Sequence, residues 1–435
     1  MTQLTVAAAG HRLPGGTGRR DEVLPALVGG TVALLPILVP AGPGNTAIAD
    51  AGIAGCILLA ALWVSRERLP VAFPYAAGVV FLMIGGALGA TVAGAPISTA
   101  LVLAQDGFLL LWAAVLTLGR YDPAIIAAAT VSWCRVAVVY SGFGVIAYVI
   151  GFAPMSGVSA KDGVRASYTF GDPNLAGNYL VTSLFVMMAC RRPRAASTRR
   201  LGYLLVITAM GFTGSNGAML TFLIGLATCV AATRYRNRGA LAGLMSLTVS
   251  AALVAVMTVF VLPHVNFDAV RADAASSIPL LRDSFGRSAD SSSERATILG
   301  EGSKLFLQGD AVGYGPARTK ETFQATQAPY VKEAHNDYLA ALLERGVIGA
   351  FGLVLLIAAV AGRCRRLLTD DLPGPLADIV PRFWILVSVG PVMAVAALFY
   401  EVLHFRHLWT WLGIVAALVM AMQQETRRRD EEAAP

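Results

Sequence analysis

Charge is scarce in this chain of 435 residues: 14% are Asp, Glu, Lys or Arg, against 56% hydrophobic. A soluble protein of this length cannot cover its surface with so few charges, and the mean hydropathy of +0.64 agrees. Both features exclude an ordinary globular enzyme and point to a polytopic, all-α integral membrane protein. Cysteine is scarce too. Cys56, Cys134, Cys190, Cys229 and Cys364 fall in apolar runs or at their edges, which excludes a disulfide scaffold. Their spacing fits no metal site, so all five read as structural. The chain has no Gly-x-x-x-x-Gly-Lys phosphate loop and no Gly-x-Ser-x-Gly elbow. It also lacks the two matching halves common in secondary transporters.

The charge that is present is placed unevenly. The formal net charge is +7, yet arginines collect in short loops after alternate apolar segments: Arg66 and Arg68, Arg191 to Arg200, Arg234 to Arg238, Arg363 to Arg366, Arg427 to Arg429. That is a positive-inside pattern, so the basic balance reports topology and not a nucleic-acid partner. With roughly 20 apolar residues per span, candidates lie near 24–41, 48–64, 71–93, 99–118, 124–152, 175–190, 201–213, 215–232, 239–262, 338–360, 383–400 and 405–422. About twelve crossings place both termini in the cytoplasm, with a tail over 1–23 carrying Arg12, Arg19 and Arg20, and another over 423–435. No cleavable signal peptide is expected. The run Thr213-Gly214-Ser215-Asn216-Gly217 reads as the tip of a hairpin of two short helices, on the outer side.

Helices 1–9 therefore occupy 24–262 and helices 10–12 occupy 338–422, separated by one large extracytoplasmic loop at 263–337. The loop carries eight basic and ten acidic residues. Ser291-Ser292-Ser293-Glu294 offers a capping box, followed by Ile298, Leu299, Leu305 and Phe306 on one apolar helical face. Val312-Gly313-Tyr314-Gly315-Pro316 breaks that helix. The loop reads as a lid packed over the outer mouth.

Water-requiring chemistry has a natural place at the end of this loop, in Glu333-Ala334-His335-Asn336-Asp337-Tyr338-Leu339. A neutral imidazole can accept a proton from a hydroxyl near neutral pH, and a neighbouring carboxylate can orient it. An interfacial anchor is the plainer reading of such a histidine. The arginines expected outside are Arg165, Arg271, Arg282, Arg287, Arg295, Arg318, Arg345 and Arg406. Guanidinium grips phosphate through paired hydrogen bonds, and Arg295, just after the expected cap, would also share the helix dipole. Arg406 opens an apolar span beside His404 and His407, where snorkelling explains it equally well. Asp172 and Asn174 flank Pro173 at an expected helix start, which suits a cap. The outer loops contain no Asp-x-Asp or Glu-x-Asp pair, so a diphosphate handled there must be neutralised by arginine and no metal is expected.

Taken together, these motifs resemble the O-antigen ligase and polymerase superfamily. Its His-Asn-x-x-Leu…Glu-x-Gly-x-x-Gly block is matched by His335-Asn336-Asp337-Tyr338-Leu339 and Glu344-Arg345-Gly346-Val347-Ile348-Gly349. Gly313 and Gly315 stand where the family has Gly-x-Gly, Phe170 to Asn174 where it has Phe-x-x-Pro-Asn, and Arg406 with Trp409 where it has Arg-x-x-Trp. The resemblance covers roughly 165–415. It implies a bacterial cytoplasmic (inner) membrane glycosyltransferase, without cofactor, that passes a glycan from undecaprenyl diphosphate to an acceptor hydroxyl outside the cytoplasm. Its partners would be the lipid-linked donor, a glycan or lipid acceptor, the bilayer and other polysaccharide-assembly proteins. It implies His335 as the base and Arg295 as the grip on the departing diphosphate. Asn336, Asp172, Asn174, Gly313, Gly315, Glu344, Arg406, Asn216 and Arg165 complete the expected substrate site.

One position departs from the family. Where members carry Ser-Arg-Gly in the hairpin turn, this chain has Ser215-Asn216-Gly217, and Asn216 cannot neutralise phosphate. Arg165 or Arg406 then substitutes, or the donor is held differently, or the activity is lost. Two other classes stay open on the residues alone: a transporter or flippase of an amphiphile, with Asp106 and Arg135 as mid-membrane charges or a structural pair, and an inactive scaffold in polysaccharide export.

Overall fold

The computed structural model describes residues 22–39, 46–94, 96–158, 165–256, 288–307, 311–327 and 336–433. Among these the chain is helical, without a β-strand. In order come α1 (Val23–Ala33), α2 (Ile48–Glu67), α3 (Ala76–Val92), α4 (Pro96–Thr117, continued as a 3₁₀ turn Leu118–Arg120), α5 (Pro123–Val149), a single turn α6 (Ala153–Ser156), α7 (Pro173–Cys190), α8 (Ala196–Phe212), α9 (Asn216–Arg238) and α10 (Ala240–Val256). The second half holds α11 (Ser288–Leu307), α12 (Thr319–Ala325), α13 (Asp337–Thr369), α14 (Gly374–Ile379), α15 (Val389–Ala396) and α16 (Arg406–Ala433).

Five of these stretches are long and apolar enough to cross a membrane: Ile48–Glu67, Thr99–Arg120, Pro123–Val149, Asn216–Arg238 and Asp337–Thr369. Shorter apolar helices fill most of the remaining positions expected from sequence. Two expected spans are not continuous helices. Residues 24–41 make only the 11-residue α1 before a turn at Leu34 to Pro36. Residues 383–400 divide into a 3₁₀ segment, Phe383–Ser388, and the 8-residue α15. The tail expected at 423–435 continues α16 as far as Ala433.

Packing follows from composition. Every residue from Ala176 to Met187 on α7, and from Arg406 to Val419 on α16, is buried. A helix apolar on all faces belongs inside a bundle. Some of their polar side chains find partners there: Trp133 Nε1 donates to Ser183 Oγ at 2.8 Å, Trp112 Nε1 to Thr410 Oγ1 at 2.9 Å. The outer helices instead expose large apolar side chains, including Leu58, Phe143, Leu223 and Leu244, as a lipid-facing surface must. All five cysteines are buried thiols, as expected.

Helix ends sort to two sides of the bundle. At one side the arginine-rich turns meet: Arg120 donates to Pro70 O, Arg363 to Pro74 O, and Arg236 bonds Leu368 O and Asp371. At the other, Thr169 Oγ1 donates to Pro36 O, Arg318 to Ala93 O, and Asp337 N to Ala397 O. The hairpin tip between α8 and α9 lies on this second side, as the turn-forming residues imply. Ser215 caps α9 by accepting from Ala218 N at 3.2 Å.

α13 is broken at Gly346, whose φ of 63° and ψ of −166° lie in a region essentially confined to glycine. A break in a buried helix strands backbone groups that must find partners elsewhere. Here the loop before α12 supplies them. Tyr314 N donates to Leu343 O and Gly315 N to Glu344 O, both at 2.9 Å, while Val347 N donates to Ala311 O at 2.9 Å. Gly313 and Gly315, with φ near +90°, give the loop the curvature this exchange needs. α3 lies against the same junction. A Cβ on Gly85 would meet Arg345 O at 2.3 Å, and one on Gly89 would meet Glu344 O at 2.8 Å.

Gly346→Ala places a Cβ 2.4 Å from the carbonyl oxygens of Ala311 and Val312 and adds backbone strain on the order of 1–3 kcal/mol. We expect a clear fall in the melting temperature of the purified protein, whereas Gly362→Ala, which meets nothing within 4 Å, should leave it unchanged.

Candidate active site

The His335-Asn336-Asp337 motif ends where α13 begins. His335 and Glu333 lie outside the described residues, but the residues that follow show how the segment is held. Asn336 Oδ1 accepts from Tyr338 N at 2.9 Å and Leu339 N at 3.0 Å, capping the helix. Its amide donates to Leu398 O at 3.2 Å. Asp337 Oδ2 accepts from Val402 N at 2.8 Å and Leu403 N at 3.3 Å. Residues 397–403 are thereby drawn around the start of α13, which ties Asn336 and Asp337 to the approach of α16.

Glu344, two turns into α13, is 8% exposed. It accepts from Thr319 Oγ1 at 2.6 Å and Ala317 N at 2.9 Å, so it anchors the residues between Gly315 and α12. The loop helix packs beside it. Ile298 of α11 joins Phe323 of α12 and Leu339 and Leu343 of α13 in one small core, with Leu305 and Phe306 against it. Leu299 points away, 51% exposed, contrary to the expected face. A second difference concerns Arg295. α11 starts at Ser288, three residues before the expected capping box, so Arg295 stands about 10 Å from the helix N-terminus at 1.5 Å per residue. Only the first four N–H groups are unpaired in a helix, and Arg295 is beyond them. The dipole argument for it therefore falls, though α11 does lie over the start of α13.

Arg345, expected as an outward-facing arginine, is buried and bonded to Asp106 of α4, and its guanidinium also donates to Leu82 O. Asp106 and Arg135 do not pair: Arg135 is exposed on α5. The reason is register. The break at Gly346 aims Arg345 inward toward α3 and α4, while position 135 falls on the outer face of α5.

Arg406 does not snorkel either. Its Nε and Nη2 donate to the two oxygens of Asp50 at 2.6 and 2.5 Å, and the side chain is 6% exposed. Asp50 also accepts from Ala47 N at the start of α2. His404 lies between the two ion pairs, with Nε2 4.0 Å from Glu401 Oε2. Burial lowers its pKa; Asp106 opposes the shift while Arg345 and Arg406 add to it, so the imidazole is neutral at pH 7. His407, the second residue of α16, bonds Asn178 Oδ1 at 2.7 Å.

A second group of residues converges on the hairpin tip. Arg165 donates from Nε to Thr213 O at 2.9 Å and from Nη2 to Asn174 Oδ1 at 2.8 Å. Asp172 caps α7, accepting from Asn174 N and Leu175 N, as its position before Pro173 implies. Asn216 is the first residue of α9. Arg165 thus bridges the turn that carries Asn216 and the start of α7. Tyr400 closes the gap to the first group: a Cβ on Gly217 would strike its hydroxyl at 2.5 Å.

An apolar groove of about 590 Å³ begins at Asp337 and Tyr338 and runs along α13 past Leu353, Leu356 and Val360 to Arg365. α15 and the start of α16 form its other wall, through Pro391, Met393, Leu408 and Trp411.

Residues 201–354 match a family model described as O-antigen ligase. The chain carries an O-antigen ligase domain there, from α8 to the middle of α13, as the resemblance implied. No curated protein matches the chain. The domain and the apolar helices mark a bacterial inner-membrane protein of polysaccharide biosynthesis, with the glycosyltransferase-like activity that this family implies. Sequence reasoning missed the Asp50–Arg406 and Asp106–Arg345 pairs. The available signal was Asp106 itself, since a carboxylate inside an apolar run requires a cation nearby.

Removing one partner of a buried pair strands the other charge, at a cost of about 3–5 kcal/mol. Asp106→Leu should therefore lower the melting temperature sharply, and Asp106→Leu with Arg345→Met should recover much of the loss. Asp337→Ala leaves two backbone donors without an acceptor, a cost of about 1–3 kcal/mol, and should be milder than Asp106→Leu in the same melting assay.

Proposed function

We propose that this protein is a membrane glycosyltransferase that moves a glycan from undecaprenyl diphosphate to an acceptor hydroxyl on the extracytoplasmic side, as an O-antigen ligase or a polysaccharide polymerase. The observation that carries the reading is the O-antigen ligase domain at 201–354. Its separate motifs, 98 residues apart between Ser215 and Gly313 in the chain, are brought to one side of the helix bundle, opposite the arginine-rich turns. Twelve crossings with both termini cytoplasmic then put the site outside.

In this reading His335 takes the proton from the acceptor hydroxyl as its oxygen attacks the anomeric carbon. The bond from that carbon to the diphosphate oxygen breaks, and the electron pair leaves with undecaprenyl diphosphate. Stabilising that charge is the main electrostatic task. Arg295, on the helix that covers the start of α13, is assigned to it. The groove that begins at Asp337 offers an apolar course for the polyprenyl chain. No metal is required, because arginine carries the neutralisation.

The charge missing at Asn216 is supplied by Arg165 in preference to Arg406. Arg406 is already neutralised by both oxygens of Asp50, and detaching it would strand that carboxylate. Arg165 instead sits at the turn that carries Asn216, through Thr213 O, and at the start of α7, through Asn174, where it can reach an anion held at that turn.

The test is release of undecaprenyl diphosphate from a lipid-linked oligosaccharide by the purified protein in proteoliposomes containing EDTA. His335→Ala should abolish release while the protein still inserts; full product from that variant would remove His335 from the mechanism. Arg165→Ala should lower turnover by about tenfold to a hundredfold, the worth of a charge-assisted contact, with partial recovery in Arg165→Lys. Arg295→Ala should cost much more than Arg287→Ala, and equal losses would make the loop charge generic. Product length separates a polymerase from a ligase.

A further inference from the structure

The arginine-rich side of the bundle holds a second pocket, remote from the site above. It encloses about 250 Å³ between the loop after α2, the 3₁₀ turn that ends α4, and the last turns of α16. Pro70, Arg120, Tyr121, Gln423, Gln424 and Arg427 line it, and no carboxylate does. Arg120 is set in place by neutral partners only. Nη2 donates to Pro70 O at 2.5 Å and to Tyr121 Oη at 2.6 Å, Nη1 lies 3.3 Å from Met420 Sδ, and the guanidinium covers the Tyr121 ring at 4.5 Å. Its Nε is buried and has no hydrogen-bond partner.

Several neighbouring cations on this side are matched by acids, although Arg363 and Arg199 bond backbone carbonyls. Arg236 bonds Asp371, Arg366 bonds Asp370, and Arg428 and Arg429 bond Glu425. A fixed guanidinium with an unmatched donor, a second guanidinium and two primary amides around one small cavity form a donor-rich, net-positive site. Nothing in its lining balances that charge. Phosphate oxygens match such donors in geometry and sign.

We propose that this pocket binds the phosphate group of an anionic ligand, held between Arg120 and Arg427 with Gln423 and Gln424 donating to its remaining oxygens. The ligand is an anionic lipid headgroup of the adjoining leaflet or free phosphate. Bound there, it ties the α2–α3 loop to the ends of α4 and α16.

The experiment measures the melting temperature of the detergent-purified full chain during titration with phosphatidylglycerol, phosphatidylcholine or inorganic phosphate. Stabilisation by phosphatidylglycerol but not phosphatidylcholine is expected, with Arg427→Gln raising the lipid concentration required by about tenfold, the worth of one charge-assisted contact. Arg428→Gln, which removes the same charge from the neighbouring position, should not. If inorganic phosphate alone reproduces the shift and its dependence on Arg427, the site stands and takes free phosphate. Absence of any shift, or equal effects of Arg427→Gln and Arg428→Gln, overturns the proposal. Arg120→Gln also releases Pro70 and can lower stability by itself, so Arg427→Gln carries the test.

Discussion

A helix inside a membrane protein cannot break without finding new partners for its backbone, and the break in α13 at Gly346 organises much of this molecule. The three exchanged hydrogen bonds join α13 to residues 311–315. That junction fixes where the loop after α11 returns, and α12 and Glu344 extend the same contact. It also turns Arg345 inward to Asp106. Without the break, Arg345 would continue a regular helical face, and the loop would have no backbone donors or acceptors to dock against. The glycines of the family-like block are therefore structural first: they allow a conformation and a closeness of approach that a Cβ forbids.

Two ion pairs, one buried and one partly buried, reinforce the same side of the bundle. Asp106–Arg345 connects α4 to α13, and Asp50–Arg406 connects α2 to α16. Such pairs are weak sources of net stability, because desolvation offsets their attraction, but breaking one is costly. Their effect is to specify register, holding the starts of α13 and α16 in a fixed relation. Asp337 adds a third link through the backbone of Val402 and Leu403.

Much of this was legible in the chain because lipid solvent imposes simple rules. Low charge and long apolar runs announced helices, Asp172 announced a cap, and the turn-rich run 213–217 announced a hairpin. The O-antigen ligase domain was legible through local motifs. Helix boundaries were less so. Ser291 and Glu294 offer a convincing capping box, yet α11 begins at Ser288, since more than one Ser or Asp nearby can start a helix. The expected span at 383–400 failed because apolarity does not distinguish a regular helix from a 3₁₀ segment joined to a short one.

Composition and periodicity determined the class of protein, the alternating placement of arginine and the order of the functional motifs, because each depends on residues within one or two turns of each other. Charge pairing was decided by tertiary structure alone. Asp106 could have met Arg135, Arg345 or Arg406, and the chain holds no local information that chooses among partners up to 300 residues away. The choice rests on the rotation of each helix about its axis, which the break at Gly346 and the close α3–α13 approach set together.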